Sequence, residues 1–339
     1  MKKNKIVWQL PFLVLLIVGT VVIIRHQSSI PYQHNSGMVF GTTYNITYQC
    51  DSNLHNSIIR ELEKVDEALS PFNKKSVITA VNNNHDIEVN DMFADVFLLA
   101  QKISDDTSGD FDITVAPLVN AWGFGFKNGT QPTKYNIDSL KNIIGYKKVR
   151  LEGRKVVKKD KRLMLDCSSI AKGYGSDVVA RFLQKRGVKN YMVEIGGEIV
   201  TKGISPKRVP WKIGVTRPVD DSLSVSKELQ SVINVTDKAM ATSGNYRNFY
   251  YKNGKKYAHT IDPHTGYPVQ HNILSATVIA DNCATADAYA TAFMVMGLEK
   301  AQKLLERHPE LMAYFIYSDK DGKNKTWCSE KLKKKVAEL

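Results

Sequence analysis

The chain has 339 residues, of which 43% are hydrophobic and 24% are charged. This composition is ordinary for a globular protein with a sizeable core, and it excludes a disordered chain. The net charge of +13 favours acidic partners such as phosphates, anionic lipid or nucleic acid. Charge alone does not choose among these partners, but the sequence holds no nucleic-acid-binding motif, so we expect no nucleic-acid partner. The four cysteines lack CxxC spacing and give a zinc site no support.

The amino-terminal residues predict a membrane anchor. Three lysines precede an uncharged, mostly apolar run over residues 6–24, which as a helix is long enough to cross a hydrocarbon core of about 30 Å. Because these lysines outnumber the single Arg25 after the run, the rest of the chain should face outward. A cleaved signal peptide is the alternative, although no small-x-small site follows the run.

We therefore predict three regions. Residues 1–25 form an N-terminal transmembrane helix, as an anchor or uncleaved signal, in the cell inner membrane. Residues 26–36 form a polar linker, and residues 37–339 form the main domain, which faces the periplasm.

Beyond the linker, the residue pattern indicates a mixture of helices and strands. Apolar residues at three-to-four spacing predict helices over residues 58–69 and 92–103. Alternating patterns predict strands at 148–151, 156–157 and 163–165, with a turn at Gly153. Since these elements follow no regular βαβ rhythm, the predicted fold class is α+β.

A first candidate site segment combines acids, rings and glycines. Asp110 and Asp112 flank Phe111, and a run with Trp122 and Phe124 follows. Such a cluster suits a nucleobase or flavin pocket, but aromatic residues also serve as ordinary core packing.

A second segment, residues 165–177, predicts a strand that turns into a helix. The backbone N–H groups of such a helix start attract an anion, and Lys172 adds a cation, so the turn could hold a phosphate. The alternative is a capped helix with a solvated lysine. Paired glycines at 196 and 197, after the next predicted strand, either admit a ligand closely or make a turn.

Two turn-rich segments, residues 242–247 and 257–266, flank a predicted hairpin. His259 lies here among polar neighbours, and the usual pKa of a histidine suits proton transfer. A structural histidine is the alternative interpretation.

The last segment is an alanine-rich helix that begins at Cys283 and ends before Gly297. Asp287 and Thr291 are four residues apart, so they share one helix face. A carboxylate and a hydroxyl are hard oxygen ligands that suit Mg²⁺ or Ca²⁺. Alternatively, the helix dipole favours the aspartate and the threonine bonds back to a carbonyl.

Taken together, these segments resemble the ApbE family of FAD:protein FMN transferases. The matching motifs are residues 40–44, 109–112, 165–177, 194–198, 241–247, 259–266 and 285–291. They span nearly everything after the linker. Seven motifs in one order are specific, although none would be alone.

The resemblance implies an ApbE-like α+β fold related to the tunnelling fold, with FAD bound as substrate. The FAD site would be lined by Phe40, Phe72, Asp110, Phe111, Asp112, Asp166, Lys172 and Ile261. Mg²⁺ would be held by the backbone carbonyl of Ser169 and the side chains of Asp287 and Thr291. The carbonyl of Ala290 is a further candidate ligand.

The implied reaction is Mg²⁺-dependent transfer of FMN to a Thr or Ser hydroxyl of an acceptor flavoprotein subunit, through a phosphoester bond, with release of AMP. His259 would take the proton of the attacking hydroxyl, and Asp287 would act through the metal. A water molecule in place of that hydroxyl would make the protein an FAD pyrophosphatase that yields FMN and AMP. A non-catalytic flavin-binding module is a further alternative.

The sequence departs from the family at two places. Phe40 replaces the usual methionine before Gly41, and the frequent lipoprotein cysteine is absent. A rival interpretation comes from Ser169 with Lys172, together with the segments 243–245 and 264–266, which imitate the motifs of serine penicillin-binding enzymes. Only about twenty residues separate the last two segments, too few for the return path of that fold.

Overall fold

An antiparallel sheet of eight strands forms the centre of the computed structural model, which describes residues 11–21, 30–126, 132–218, 229–246, 249–252 and 255–338. In spatial order the strands are β1 (Tyr32–Val39), β2 (Thr42–Gln49), β5 (Tyr191–Ile195), β6 (Glu198–Lys202), β9 (Ala239–Gly244), β12 (Ile273–Ala280), β13 (Met312–Ser318) and β14 (Asn324–Cys328). This antiparallel arrangement agrees with the predicted absence of βαβ units.

Three smaller sheets accompany the main sheet. They are the hairpin β3 (Val149–Glu152) and β4 (Lys155–Lys158), the hairpin β10 (Phe249–Lys252) and β11 (Lys255–Ala258), and a sheet of β7 (Trp211–Thr216), β8 (Leu229–Val235) and β15 (Val336–Glu338). The first hairpin confirms the strands predicted at 148–151 and 156–157. The second confirms the hairpin predicted between the two turn-rich segments.

The helices of the main domain confirm those predicted from apolar spacing. After α1 (residues 11–21) they are α2 (His55–Leu69), α3 (Val77–Asn82), α4 (Asp91–Asp106), α5 (Ala116–Ala121), α6 (Lys134–Lys141), α7 (Ala171–Lys185), α8 (Cys283–Met296), α9 (Leu298–Arg307) and α10 (Glu330–Lys333). Short 3₁₀ turns cover residues 113–115 and 146–148.

The main sheet separates two apolar cores. On strand β12, Val278 faces the helices while the adjacent Ile279 faces the small sheet of β7, β8 and β15, as the two-residue repeat of a strand requires. On β9, Ala241 and Met240 divide in the same way. The helices therefore cover one face of the sheet, and the small sheet with α10 covers part of the other.

Two tight turns explain glycine positions that the sequence left open. Gly196 and Gly197 join β5 to β6 with φ of 65° and 103°. Phe40 and Gly41 join β1 to β2 with φ of 51° and 72°. Two-residue hairpins favour positive φ at both central residues, which glycine adopts without strain. Phe40 adopts this conformation despite its side chain, which costs about 1 kcal/mol or more.

The prediction of a strand at residues 163–165 is wrong. This segment pairs with no strand among the described residues. Instead, the buried side chain of Asn82 takes the place of a neighbouring strand, since its Oδ1 accepts the N–H of Leu165 at 2.7 Å and its Nδ2 donates to the Leu165 carbonyl at 2.9 Å. These bonds place the chain just before Asp166 and α7.

The amino-terminal prediction falls partly outside the described residues. Of the apolar run 6–24, residues 11–21 form a helix, while 6–10 and 22–24 lie outside the described ranges. None of the helices in those ranges has both the length and the apolar character that crossing a membrane requires. Strand β1 begins at Tyr32, so residues 32–36 of the predicted linker pair with β2.

Helices α7 and α8 meet at their amino-terminal ends through reciprocal bonds. The two carboxylate oxygens of Asp177 accept the N–H groups of Cys283 at 2.8 Å and Ala284 at 2.9 Å. In return, Asp287 accepts the N–H of Gly173 at 3.0 Å. Each helix thus provides a carboxylate that accepts N–H groups from the first turn of the other helix. Those N–H groups have no partner within their own helix.

Replacement of Asp177 by alanine removes two charge-assisted bonds and leaves two buried N–H groups without acceptors. We expect Asp177→Ala to lower the free energy of unfolding by about 2 kcal/mol. Urea denaturation followed by circular dichroism measures this loss.

A matched control is Asp281→Ala, which removes an exposed carboxylate beside the same helix end that pairs with Lys238. We expect this change to cost less than about 1 kcal/mol. Equal losses in the two variants would contradict the capping role of Asp177.

Candidate functional site

One cavity of about 450 Å³ brings together most of the predicted site residues. Its wall includes the predicted residues Asp110, Phe111, Asp112, Asp166, Ser169, Lys172, His259, Ile261, Asp287 and Thr291. These residues come from segments far apart in the chain, so the fold assembles motifs whose proximity the sequence did not show.

Three predicted site residues are not among those that line this cavity. The ring of Phe40 packs on α7, where a Cβ added at Gly175 would approach it to 2.8 Å. Phe72 is 72% exposed and meets the ring of Phe126 edge-on. Ala290 is fully buried inside α8. None of these three residues therefore contributes to the described cavity wall.

The contact between α7 and α8 sets the position of Asp287. A Cβ at Gly173 would lie 2.4 Å from the carbonyl oxygen of Cys283, so only glycine allows the two backbones to come this close. That approach brings the N–H of Gly173 to Asp287, whose side chain is buried at the cavity wall. Because α8 is buried on nearly all sides, its alanine-rich composition follows from packing.

Thr291 lies one turn after Asp287 on the cavity side of α8. Its hydroxyl lies 3.2 Å from the hydroxyl of Ser243 on β9. Ser169 also lines the cavity, just before α7. A carboxylate and hydroxyls on one cavity wall form an all-oxygen donor set, which suits a hard cation such as Mg²⁺.

Lys172 and Glu198 form an ion pair on the same wall. The ammonium of Lys172 lies 2.6 Å from Oε1 of Glu198, a side chain that is only 4% exposed. Burial raises the pKa of Glu198, and Lys172 opposes this rise. Burial alone would lower the pKa of Lys172, but the carboxylates of Asp287 and Glu198 outweigh it and raise that pKa. The lysine is therefore charged at neutral pH.

Two predicted FAD-site acids have defined bonds within the protein. Asp112 caps the 3₁₀ turn that follows it, since one oxygen accepts the N–H of Thr114 at 2.7 Å and the other accepts that of Tyr146 at 2.9 Å. Asp166 accepts both the N–H of Ser168 at 2.8 Å and its hydroxyl at 2.5 Å. Both acids thus shape the loops that carry the cavity wall.

His259 lies at the cavity wall beside an aromatic row. Its ring centroid is 6.5 Å from that of Phe124, which also lines the cavity. Phe124 stacks on Tyr250 of β10, and the adjacent Thr260 donates to Asn245 at 2.7 Å. The histidine is thus held between the hairpin of β10 and β11 and the end of β9, with access to the cavity.

A second group of possible cation ligands lies near the first. One ligand atom each from Asp110, Asp262 and His264 falls within 4.8 Å of the others. Nε2 of His264 lies 3.2 Å from Asp110. Burial raises the pKa of Asp110, while Lys300 and His264 oppose the rise. The histidine therefore already serves as a polar partner for this carboxylate.

Sequence reasoning missed three polar residues of the site. Glu198 lies in the matching motif 194–198 but had no predicted role, and neither the capping role of Asp177 nor the bond between Ser243 and Thr291 was predicted. The available signals were weak. Glu198 starts a strand and Asp177 lies within a helix, and neither position indicates a functional residue by itself. Their roles can be assigned only when their buried neighbours are known.

Comparison with known proteins finds relatives over most of the chain. A chain from Vibrio cholerae named FAD:protein FMN transferase is 40% identical over 300 residues, covering 85% of this chain and 88% of the relative. A namesake from Haemophilus influenzae is 36% identical over 304 residues, covering 85% and 87%.

Solved structures give the same result. The structure of flavin transferase ApbE from Vibrio cholerae aligns with a TM-score of 0.82 at 36% identity, over 90% of this chain and 99% of that one. The apo structure of Pseudomonas stutzeri flavinyl transferase ApbE aligns with a TM-score of 0.79 at 30% identity, over 89% and 95%.

These likenesses confirm the mixed α/β ApbE fold and the predicted transferase class. The predicted relation to the tunnelling fold stays a prediction. Since the ApbE family profile matches residues 40–315, the chain belongs to the ApbE family.

Proposed function

We propose that this protein transfers the FMN half of FAD to a Thr or Ser hydroxyl of an acceptor flavoprotein subunit and releases AMP. Its matched relatives are named FAD:protein FMN transferase or flavin transferase. The observation that carries the proposal is the placement of Ser169, Asp287 and Thr291 on the wall of one cavity.

The donor set of the cavity fits Mg²⁺. Asp287 provides a buried carboxylate and Thr291 a hydroxyl, and the backbone carbonyl of Ser169 would complete the set, whereas Ala290 is buried and is not among the lining residues. One oxygen of Asp287 already accepts the N–H of Gly173, which fixes the orientation of the carboxylate. When bound, the ion would neutralise charge on the diphosphate and stabilise the departing AMP.

The chain itself provides the other parts of the reaction. The ammonium of Lys172 offers a positive charge to the diphosphate. The hydroxyl oxygen of the acceptor would attack the phosphorus of the FMN half, and the bond from that phosphorus to the AMP oxygen would break. His259 would receive the proton of the attacking hydroxyl, since it lies at the cavity wall with its ring held by neighbours.

Hydrolysis is the competing outcome. If water replaces the acceptor hydroxyl at the same phosphorus, the products are free FMN and AMP. The same site residues serve both reactions, so only the products distinguish them. The family assignment leaves the penicillin-binding interpretation without support.

The direct test mixes the full-length protein with FAD, Mg²⁺ and a periplasmic flavoprotein subunit. We expect release of AMP and a covalently fluorescent acceptor after denaturing electrophoresis. Asp287→Ala removes the only charged metal ligand of the proposed set, so we expect both products to fall at least about a hundredfold.

The exposed neighbour Asp281 offers a control at the start of the same helix. Asp281→Ala should keep both products near wild-type amounts, because its side chain is solvent-exposed and pairs with Lys238 outside the cavity wall. Full turnover by Asp287→Ala would show that the metal site is wrong, and free FMN without a labelled acceptor would show hydrolysis instead of transfer.

We further propose that residues 1–25 anchor the chain in the inner membrane with the catalytic domain in the periplasm. The lysines before the apolar run and the single arginine after it support this orientation. Protease added to spheroplasts of a Gram-negative host should digest the catalytic domain of the full-length chain. Its survival until the spheroplasts are lysed would contradict the proposal.

A further inference from the structure

Glu198 binds helix α7 at two points one turn apart. Its Oε1 accepts a hydrogen bond from the ammonium of Lys172 at 2.6 Å, and its backbone carbonyl accepts one from the hydroxyl of Ser176 at 3.0 Å. Its other carboxylate oxygen is buried and has no hydrogen-bond partner among the described residues. The side chain lines the cavity but is only 4% exposed.

Lys172 lies in the first turn of α7, and its side chain is 31% exposed. Among the described residues that line the cavity, it is the only lysine or arginine. A lysine side chain has four flexible carbons, so a partner is needed to keep its ammonium in one place. Glu198 is that partner, and it holds the ammonium at the cavity wall.

The negative charge of Glu198 would otherwise be unfavourable here. The cavity wall already carries the carboxylates of Asp110, Asp112, Asp166 and Asp287. In the proposed function, the cavity takes the diphosphate anion of FAD. One more carboxylate opposes that anion by simple electrostatics. A buried carboxylate at position 198 is favourable for FAD binding only if its effect on Lys172 outweighs its own repulsion of the diphosphate.

We propose that Glu198 is a positioning residue that acts through Lys172 and fixes its ammonium toward the diphosphate of FAD. This inference rests on the proposed function. If Glu198 acted on FAD only through its charge, removal of its side chain would strengthen FAD binding. A positioning role predicts the opposite change. Loss of the Glu198 side chain should weaken FAD binding by freeing the lysine, whereas loss of its charge alone should leave FAD binding nearly unchanged or strengthen it.

The test is an equilibrium titration of FAD in the presence of Mg²⁺ and without acceptor, followed by flavin fluorescence. For Glu198→Ala we expect the dissociation constant to rise about tenfold. Glu198→Gln keeps a carbonyl oxygen for the ammonium, so its dissociation constant should stay within about twofold of wild type or fall. Tighter binding by Glu198→Ala would overturn the proposal.

A double-mutant cycle separates this role from general support of the fold. In a Lys172→Ala background, Glu198→Ala should add no further loss of affinity, because its partner is already absent. Additive losses would overturn the proposal. Lys172→Gln replaces Lys172→Ala if thermal unfolding shows that the alanine variant does not fold.

An exposed ion pair provides the control. Glu61→Ala removes the partner of Lys64 on α2, outside the cavity wall, and should leave FAD affinity unchanged. The two proposals fail differently. If the wild-type protein neither binds FAD nor labels an acceptor, the proposed function fails. If it does both and the cycle is additive, only the role of Glu198 fails.

Discussion

The candidate site depends on the close contact between the amino-terminal ends of α7 and α8. Asp177 caps α8, Asp287 accepts an N–H from α7, and Gly173 leaves room for the two backbones to approach. N–H groups at a helix start are costly to bury without acceptors. The contact therefore stabilises the fold and places a carboxylate at the cavity wall through the same bonds.

The cavity wall carries more acidic than basic side chains. Several carboxylates and one lysine surround a space proposed for an anionic substrate. Burial raises the pKa of Asp287, while Lys172 and the N–H of Gly173 oppose the rise. A divalent cation beside this carboxylate would further favour its ionised form, in keeping with the all-oxygen donor set. The ion pair of Lys172 and Glu198 keeps the one positive side chain at the wall.

Much of the fold could be predicted from local patterns. Helices α2, α4 and α8 follow apolar spacing or a terminal glycine, and the hairpin of β3 and β4 follows alternation around Gly153. The strand predicted at 163–165 was wrong because its backbone bonds to the side chain of Asn82, a residue far away in sequence. Periodicity reports the burial of a segment but does not identify its hydrogen-bond partner.

The sequence indicated many of the residues that line the cavity but not their arrangement. Motif order indicated Asp287, Thr291, Ser169 and Lys172, and the structure brings them to one cavity. Phe72 was expected there but is exposed, since its position depends on a loop with no periodic pattern. Glu198 was not predicted as a site residue because its importance arises only when β6 places it beside α7.

The most direct test of the metal site is a crystal of the full-length protein soaked with FAD and Mn²⁺ as an anomalous substitute for Mg²⁺. A metal site at Asp287 predicts one strong anomalous peak in contact with the carboxylate of Asp287 and the hydroxyl of Thr291, next to the diphosphate. A peak confined to the group of Asp110, Asp262 and His264, with none at Asp287, would contradict it.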